Sequence, residues 1–128
     1  VSGGGGAWSG TEPESWSCAG AGMTAGDRVP GRFVGEPHGA PAKSAGNEVV
    51  AEGTTWSGGG VTRAHWTATI FPGPKGNFVF NGATIFWAQG LSSPPGHMLP
   101  WSHWSRPHGP DDRVQRITKN LLDRAISA

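Results

Sequence analysis

Residues 111–127, DDRVQRITKNLLDRAIS, carry the strongest pattern in the chain. Apolar residues recur there at helical spacing, at Val114, Ile117, Leu121 and Ala125, with Leu122 and Ile126 widening the stripe. Pro110 and Asp111 suit the start of a helix, because acidic groups favour the positive end of the helix dipole. The pattern predicts an amphipathic C-terminal α-helix, and its stripe needs a sheet or another helix to cover it.

Three segments upstream of this helix are typical of β-strands. They are residues 47–52 (NEVVAE), 65–71 (HWTATIF) and 77–87 (NFVFNGATIFW). The second is rich in β-branched and aromatic residues, and its alternation puts Trp66, Ala68 and Ile70 on one face and Thr67 and Thr69 on the other. In the third, the Asn81-Gly82 pair indicates either a tight turn or a bulge. We favour a strand, a turn or bulge, and then a second apolar segment.

The remaining segments are rich in turn-forming residues. We expect residues 1–10 (VSGGGGAWSG) to be a flexible linker or a processed N-terminus, and residues 11–128 to be the C-terminal part of an α/β domain. Residues 15–23 (SWSCAGAGM) could form a short strand that runs into a glycine turn. Residues 24–31 carry further turn signals. Residues 92–110 form a long loop with five prolines.

The composition points to a chain that needs additional hydrophobic cover. Gly and Pro, at 22 and 11 residues, make up about a quarter of the sequence, against about 12% in an average globular chain. Yet 35% of the residues are hydrophobic and seven are Trp, so the chain has much apolar surface to bury. Docking onto another polypeptide region would supply the missing core.

Charge and cysteine content exclude several classes of function. A formal charge of +1 with 15% charged residues gives no electrostatic basis for nucleic-acid binding. No apolar run approaches the roughly 20 residues that span a bilayer. The lone Cys18 excludes an internal disulfide and a cysteine-based zinc site, and we expect it to be a small buried apolar residue. The compartment stays open, with the cytoplasm favoured.

Four segments, in the same order, resemble the C-terminal region of the N,N-dimethylformamidase large (beta) subunit family. They are WSCAGAGMTAGDRVPGRFVG (16–35), GNEVVAEG (46–53), ATIFPGPKGNFVFNGATIFWAQGLSSPPG (68–96) and DDRVQRITKNLLDRA (111–125). The most specific pieces are the FVFNGATIFWAQGL run and the VQRITKNLLDR helix. Together the segments span most of the chain.

The resemblance implies a fold, an activity and a cofactor. The fold would be an α/β domain of the glutamine-amidotransferase-like type, with a layered sheet and flanking helices, closed by a late strand pair and a C-terminal helix. The activity would be hydrolysis of an amide C–N bond of a small amide substrate at a mononuclear iron held by tyrosinate and glutamate oxygens. This chain has no Tyr, so the iron would sit on a larger companion chain or an upstream domain, as in a hetero-oligomer. No metal ligand is predicted here.

Two polar residues of a Gly/Pro loop are the weak catalytic candidates. Glu36 and His38, two positions apart, could bind a metal or act as an acid–base pair, since imidazole titrates near neutrality. A surface loop with incidental polar residues is the alternative that we favour. The segment VGEPHG (34–39) is also shorter than the family pattern, which puts a role for Glu36 in doubt.

The proline-rich loop supplies the candidates for substrate or interface contacts. His97, His103 and His108 are spaced too widely for a helical metal site, so hydrogen bonding to the backbone is the favoured role. Trp101 and Trp104 could stack on a ligand or pack against a partner domain, whereas Trp66 and Trp87 lie in strand segments and are expected in the core. We expect His97, Trp101 and Trp104 to line a pocket or an interface.

Two functional hypotheses follow. The preferred one is a segment or subunit of a dimethylformamidase-like amidohydrolase that contributes scaffold, interface and pocket wall. The alternative is a Trp-rich module that binds carbohydrate or protein without catalysis, although the long C-terminal helix is unneeded in a lectin-like sandwich. A purely structural subunit is a third possibility.

Overall fold

The computed structural model describes residues 6–33, 45–56, 63–84, 86–92 and 109–127. These residues combine a five-stranded antiparallel sheet with one C-terminal α-helix, so the predicted mixture of strands and helix is confirmed. The elements, in chain order, are β1 (Gly6–Gly10), β2 (Arg28–Phe33), β3 (Glu48–Trp56), β4 (Arg63–Pro72), β5 (Phe78–Asn81) and α1 (Asp112–Ser127). Two short 3-10 helices, Trp16–Cys18 and Trp87–Gly90, lie between them. The strand order across the sheet is β2-β1-β3-β4-β5.

Strands β3, β4 and β5 arise in the segments predicted as strands, although β3 continues to Trp56, beyond its predicted end at residue 52. β3 and β4 pair from Glu48↔Ile70 to Trp56↔Arg63, and the register shifts between Val49 and Ala51. This bulge accompanies two consecutive apolar residues, Val50 and Ala51, that are both buried. The predicted connection over residues 71–76 is confirmed only from Gly73, because β4 continues through Pro72. In this turn the Gly73 amide donates to the Asn77 carbonyl at 2.6 Å.

The prediction of a flexible linker is wrong for residues 6–10, which form β1 between β2 and β3. Backbone N–H and C=O groups, rather than side chains, make the ladder. A glycine-rich segment can therefore occupy an inner strand when two neighbours satisfy its backbone. The turn expected over residues 24–31 is shorter than predicted, because β2 begins at Arg28. Pro30 is tolerated there since β2 lies at the sheet edge.

The short strand predicted over residues 15–23 is also wrong. Ser15 caps a 3-10 helix at Trp16–Cys18 by accepting a hydrogen bond from the Ser17 amide. Gly20 and Gly22 follow with φ of 68° and 66°, a left-handed conformation that no strand accommodates. The second apolar segment of residues 77–87 likewise does not form a strand. β5 ends at Asn81, whose Oδ1 accepts from the Ala83 amide at 2.9 Å, and Trp87 begins the second 3-10 helix.

The core lies between the sheet and α1. Trp66 and Ala68 are fully buried and Ile70 is 4% exposed, which confirms the predicted inner face of β4. The first half of the helix stripe completes this core through Val114, Ile117 and Leu121. Cys18 is buried here as predicted, and burial raises the pKa of its thiol. Among the helices of the described ranges, none combines the length and apolar character that a bilayer crossing requires.

Helix α1 is docked through both 3-10 helices. The Asn120 amide nitrogen donates to the carbonyls of Ser17 and Ala19, each at 2.9 Å. At the second 3-10 helix, the Gln115 amide nitrogen donates to the Leu91 carbonyl at 2.7 Å. Carbonyls at the end of a helix lack hydrogen-bond partners within that helix. The side-chain amides of α1 supply such partners to the two 3-10 helices.

Candidate functional site

All five site residues predicted from the sequence lie outside the described residues. Glu36 and His38 fall within residues 34–44, and His97, Trp101 and Trp104 fall within residues 93–108. Their assignments therefore stay predictions. The described residues form a different candidate site, on the sheet.

The outer face of the sheet carries a row of polar side chains across four strands. The register pairs Arg28 of β2 with Ser9 of β1, Ser9 with Glu52 of β3, and Glu52 with Thr67 of β4. Directly opposed residues share a face in an antiparallel sheet, so these four side chains lie on one side. The core residues Ala51, Trp66 and Ala68 lie on the other side. The row therefore belongs to the face turned away from α1.

Glu52 and the neighbouring His65 form a carboxylate–imidazole pair. His65 Nε2 lies 3.4 Å from Glu52 Oε2, and the two side chains are 47% and 50% exposed. An exposed pair of this kind contributes little to stability, at most about 1 kcal/mol. The pair places a carboxylate, which accepts hydrogen bonds, beside an imidazole ring at the exposed surface of the sheet.

These residues line a groove of about 590 Å³. Its polar side chains are Ser9, Thr11, Arg28, Glu52, Thr54 and His65. Ala25 and Gly26 form a wall at the β1 side. Small-molecule sites in proteins commonly have volumes of about 300–1,000 Å³, so the groove has room for a compact ligand.

The wall of the groove is held by main-chain hydrogen bonds to β1. The Gly26 amide donates to the Gly10 carbonyl at 2.9 Å, and the Gly10 amide donates to the Asp27 carbonyl at 3.1 Å. Asp27 Oδ2 accepts from the Thr24 amide at 2.7 Å, and hydrogen bonding from Thr24 lowers the pKa of this carboxyl. The turn therefore stands in a defined position beside the polar row.

Helix α1 fixes the backbone of Arg28 from the other side. Arg113 Nη1 donates to the Arg28 carbonyl at 3.0 Å. Arg113 also forms a bidentate pair with Asp111. Its Nε donates to Asp111 Oδ1 at 3.0 Å, and its Nη2 donates to Asp111 Oδ2 at 2.7 Å. The hydrogen bond with Asp111 raises the pKa of Arg113. The edge strand that carries Arg28 is thus anchored to the start of the C-terminal helix.

Sequence reasoning missed this groove for identifiable reasons. Ser9 fell in the predicted linker and Arg28 in the predicted turn, so neither was placed on a strand. One signal was present: the alternation in HWTATIF puts His65 on the same face as Thr67 and Thr69. That periodicity does not show which strand lies beside β4, so it could not predict that Glu52 lies next to His65.

The described side chains of Trp16, Trp66 and Trp87 all pack against other parts of the chain. Trp66 is fully buried. Trp87 packs edge-on against Phe80, with ring centroids 5.2 Å apart, and its Nε1 donates to Thr118 Oγ1 at 3.0 Å. Trp16 packs in the same way against Phe78, and the Arg124 guanidinium lies 5.4 Å from its ring centroid. The expectation that Trp66 is a core residue is confirmed.

The last turns of α1 carry an exposed apolar patch. Leu122 is 59% exposed and Ile126 is 84% exposed, and Ala125 is exposed as well. The described sheet and 3-10 helices therefore bury only the first half of the predicted apolar stripe. We refer to Leu122 and Ile126 below as the helix-end patch.

Metal ligation receives no support from the part of the chain that the structure describes, which holds no group of three or more His, Cys, Asp or Glu side chains able to surround an ion. Comparisons with protein-family models, with curated proteins and with solved structures found no match to this chain. The resemblance to the dimethylformamidase large-subunit family therefore stays an expectation from the sequence.

Proposed function

We propose that this chain is the C-terminal segment or subunit of a dimethylformamidase-like amidohydrolase, which hydrolyses an amide C–N bond. The chain itself contributes scaffold, interface and part of a pocket wall. The proposal rests on one observation: the two most specific segments of the family resemblance, separated in sequence, pack against each other in the fold.

That packing is detailed and involves residues of both segments. In the run that begins at β5, Gly90 lies so close to Val114 that an added Cβ would stand 2.6 Å from Val114 Cγ1. The Asp111 amide donates to the Gly90 carbonyl at 3.0 Å. Trp87 adds its hydrogen bond to Thr118. The two segments that carry the resemblance therefore form one packed unit in this fold.

A glutamine-amidotransferase-like layered domain is the finer fold that we propose. In support, the antiparallel pair β4–β5 is followed by a C-terminal helix that covers the sheet. A layered domain with flanking helices needs further elements, and these would come from the rest of the enzyme. The helix-end patch offers apolar surface against which such an element could pack.

Iron chemistry does not fit the donors present here. The family centre uses tyrosinate and glutamate oxygens, whereas this chain has no Tyr and its described residues hold no suitable cluster. We therefore place the iron on a larger companion chain or an upstream domain and derive no catalytic step from this chain. Within the proposal, His97, Trp101 and Trp104 line the pocket or interface, and Glu36 and His38 stay weak catalytic candidates.

The alternative of a Trp-rich binding module depends on Trp101 and Trp104, which lie outside the described residues, so it stays an alternative. Trp16, Trp66 and Trp87 all take part in internal packing or hydrogen bonding, so none of these three offers a free stacking platform. A glycan-binding surface would need such a platform.

Native mass spectrometry of the assembly, purified through a tag on this chain from its own cells, tests the proposal. We expect a larger companion that carries iron, and hydrolysis of N,N-dimethylformamide or another small amide by the assembly but not by the separated chain. Recovery of this chain without a companion, or an assembly that leaves small amides intact, would contradict the proposal.

A matched pair of variants shows whether the helix-end patch makes the interface. Leu122→Glu should weaken association at least about ten-fold, because a carboxylate buried in an apolar contact loses its hydration. Arg116→Glu also changes an exposed position of α1, about 9 Å nearer the start of the helix than Leu122, and should leave association intact.

A further inference from the structure

We propose that the groove on the outer sheet face binds a small zwitterion of dipeptide size, with its carboxylate on Arg28 and its ammonium on Glu52. This inference is independent of the proposed amidohydrolase function. It rests on the charges, spacing and rigidity of the groove.

The two ends of the groove carry opposite charges that do not neutralise each other. No described residue pairs with the Arg28 guanidinium. Glu52 contacts His65 through one oxygen only, and a carboxylate can accept about four hydrogen bonds, so capacity for an ammonium remains. Arg is the side chain best matched to a ligand carboxylate, because its planar donors bind both oxygens.

The spacing is compatible with a ligand of dipeptide length. Arg28 and Glu52 are separated by β1, so their Cα atoms lie two strand spacings, or about 10 Å, apart. An extended dipeptide spans roughly 7 Å between its charged ends. The long, exposed side chains of Arg28 and Glu52 can splay far enough to reach both ends of such a ligand.

The middle of the groove suits a peptide bond. Ser9 lies between Arg28 and Glu52 in the row, and Thr54 and His65 flank Glu52. Hydroxyl groups donate and accept, so they can pair with an amide whichever way the peptide group is turned.

The backbone that carries Arg28 and forms the wall of the groove is held before any ligand arrives. Arg113 bonds the Arg28 carbonyl, and the turn that forms the wall is bonded to β1 on both sides of Gly10. A preorganised site loses less conformational entropy on binding, so even a small ligand can bind measurably.

Titration with glycylglycine, followed by amide NMR of the full chain, tests the proposal. We expect saturable shifts at Ser9, Arg28, Glu52 and His65. Two probes each lack one charge: N-acetylglycylglycine has no ammonium, and glycylglycinamide has no carboxylate. Each should bind at least about ten-fold more weakly, because a charge-assisted hydrogen bond is lost.

Variants then assign each charge to its partner. In Arg28→Gln the preference for glycylglycine over glycylglycinamide should disappear, and in Glu52→Gln the preference over N-acetylglycylglycine should disappear. Arg116→Gln, on α1 outside this groove, should keep both preferences. Absence of saturable shifts up to about 10 mM, equal binding of all three probes by the unmodified chain, or preferences that survive both variants would overturn the proposal.

Discussion

At the residue scale, some glycines lie where a neighbouring side chain leaves no room for a Cβ atom. Gly53 on β3 is the cross-strand partner of Trp66, and the indole occupies the volume that a side chain at 53 would fill. Trp66 is fully buried, so its ring has no room to move aside. The high glycine content thus partly reflects large aromatic residues in a small core, as well as turns.

Gly53→Ala should therefore be destabilising. Its Cβ would lie 2.6 Å from Trp66 Cζ2, and overpacking of this kind costs about 2 kcal/mol or more. Urea unfolding followed by Trp fluorescence measures the effect. Thr54→Ala changes the next residue, which is exposed, and should cost at most about 1 kcal/mol. Equal stability losses in the two variants would show that the Gly53–Trp66 contact is not tight.

At the element scale, α1 is held by a short list of specific contacts with the two 3-10 helices. Val114 packs on Gly90, and polar side chains of the helix bond carbonyls at the ends of both 3-10 helices. The helix therefore depends on the geometry of irregular segments rather than on sheet contacts alone.

Gly90→Ala should loosen the helix, because the new methyl group meets Val114. We expect a loss of about 1–3 kcal/mol in the free energy of unfolding. Val114→Ala in the same chain should partly offset this loss, so the two changes should couple by about 1 kcal/mol in a double-mutant cycle. Gly109→Ala is the control: a Cβ there meets nothing within 4 Å, and the change should stay within about 0.5 kcal/mol. Additive effects at 90 and 114 would contradict direct contact.

At the scale of the whole molecule, the chain builds a core and leaves part of its helix uncovered. Ile117 is 1% exposed in the cluster beneath the sheet, whereas Ile126, on the same helix, is 84% exposed. The first half of α1 thus belongs to the core that this chain forms. The helix-end patch is the part of the stripe that we assign to a companion.

Replacing isoleucine by alanine at two positions of α1 tests which part of the helix packs within this chain. Ile117→Ala should reduce the free energy of unfolding by about 2–5 kcal/mol, because it leaves a cavity in the core. Ile126→Ala should change it by no more than about 0.5 kcal/mol. Thermal or urea unfolding of the purified chain provides the comparison. A large effect at Ile126 would show that the end of the helix packs within this chain.

The sequence was sufficient to locate β3, β4, β5 and α1. In β4 and α1 the period of the apolar residues matches the geometry of the element, and burial of that face is the dominant energy. The burial of Cys18 and Trp66 followed from the same preference. These features are local, so they can be inferred without knowing what lies alongside.

Only the tertiary structure decided the places of β1 and β2, the 3-10 helix at Trp16–Cys18 and the groove. Gly6–Gly10 becomes a strand because two neighbours satisfy its backbone, and no side-chain pattern records that pairing. Glu52 and His65 meet because β3 and β4 pair in one register. Arg28 joins them because β1 brings β2 to the same sheet. Charges distant in sequence converge through hydrogen bonding between strands, and that bonding depends on the whole fold rather than on the residues that it brings together.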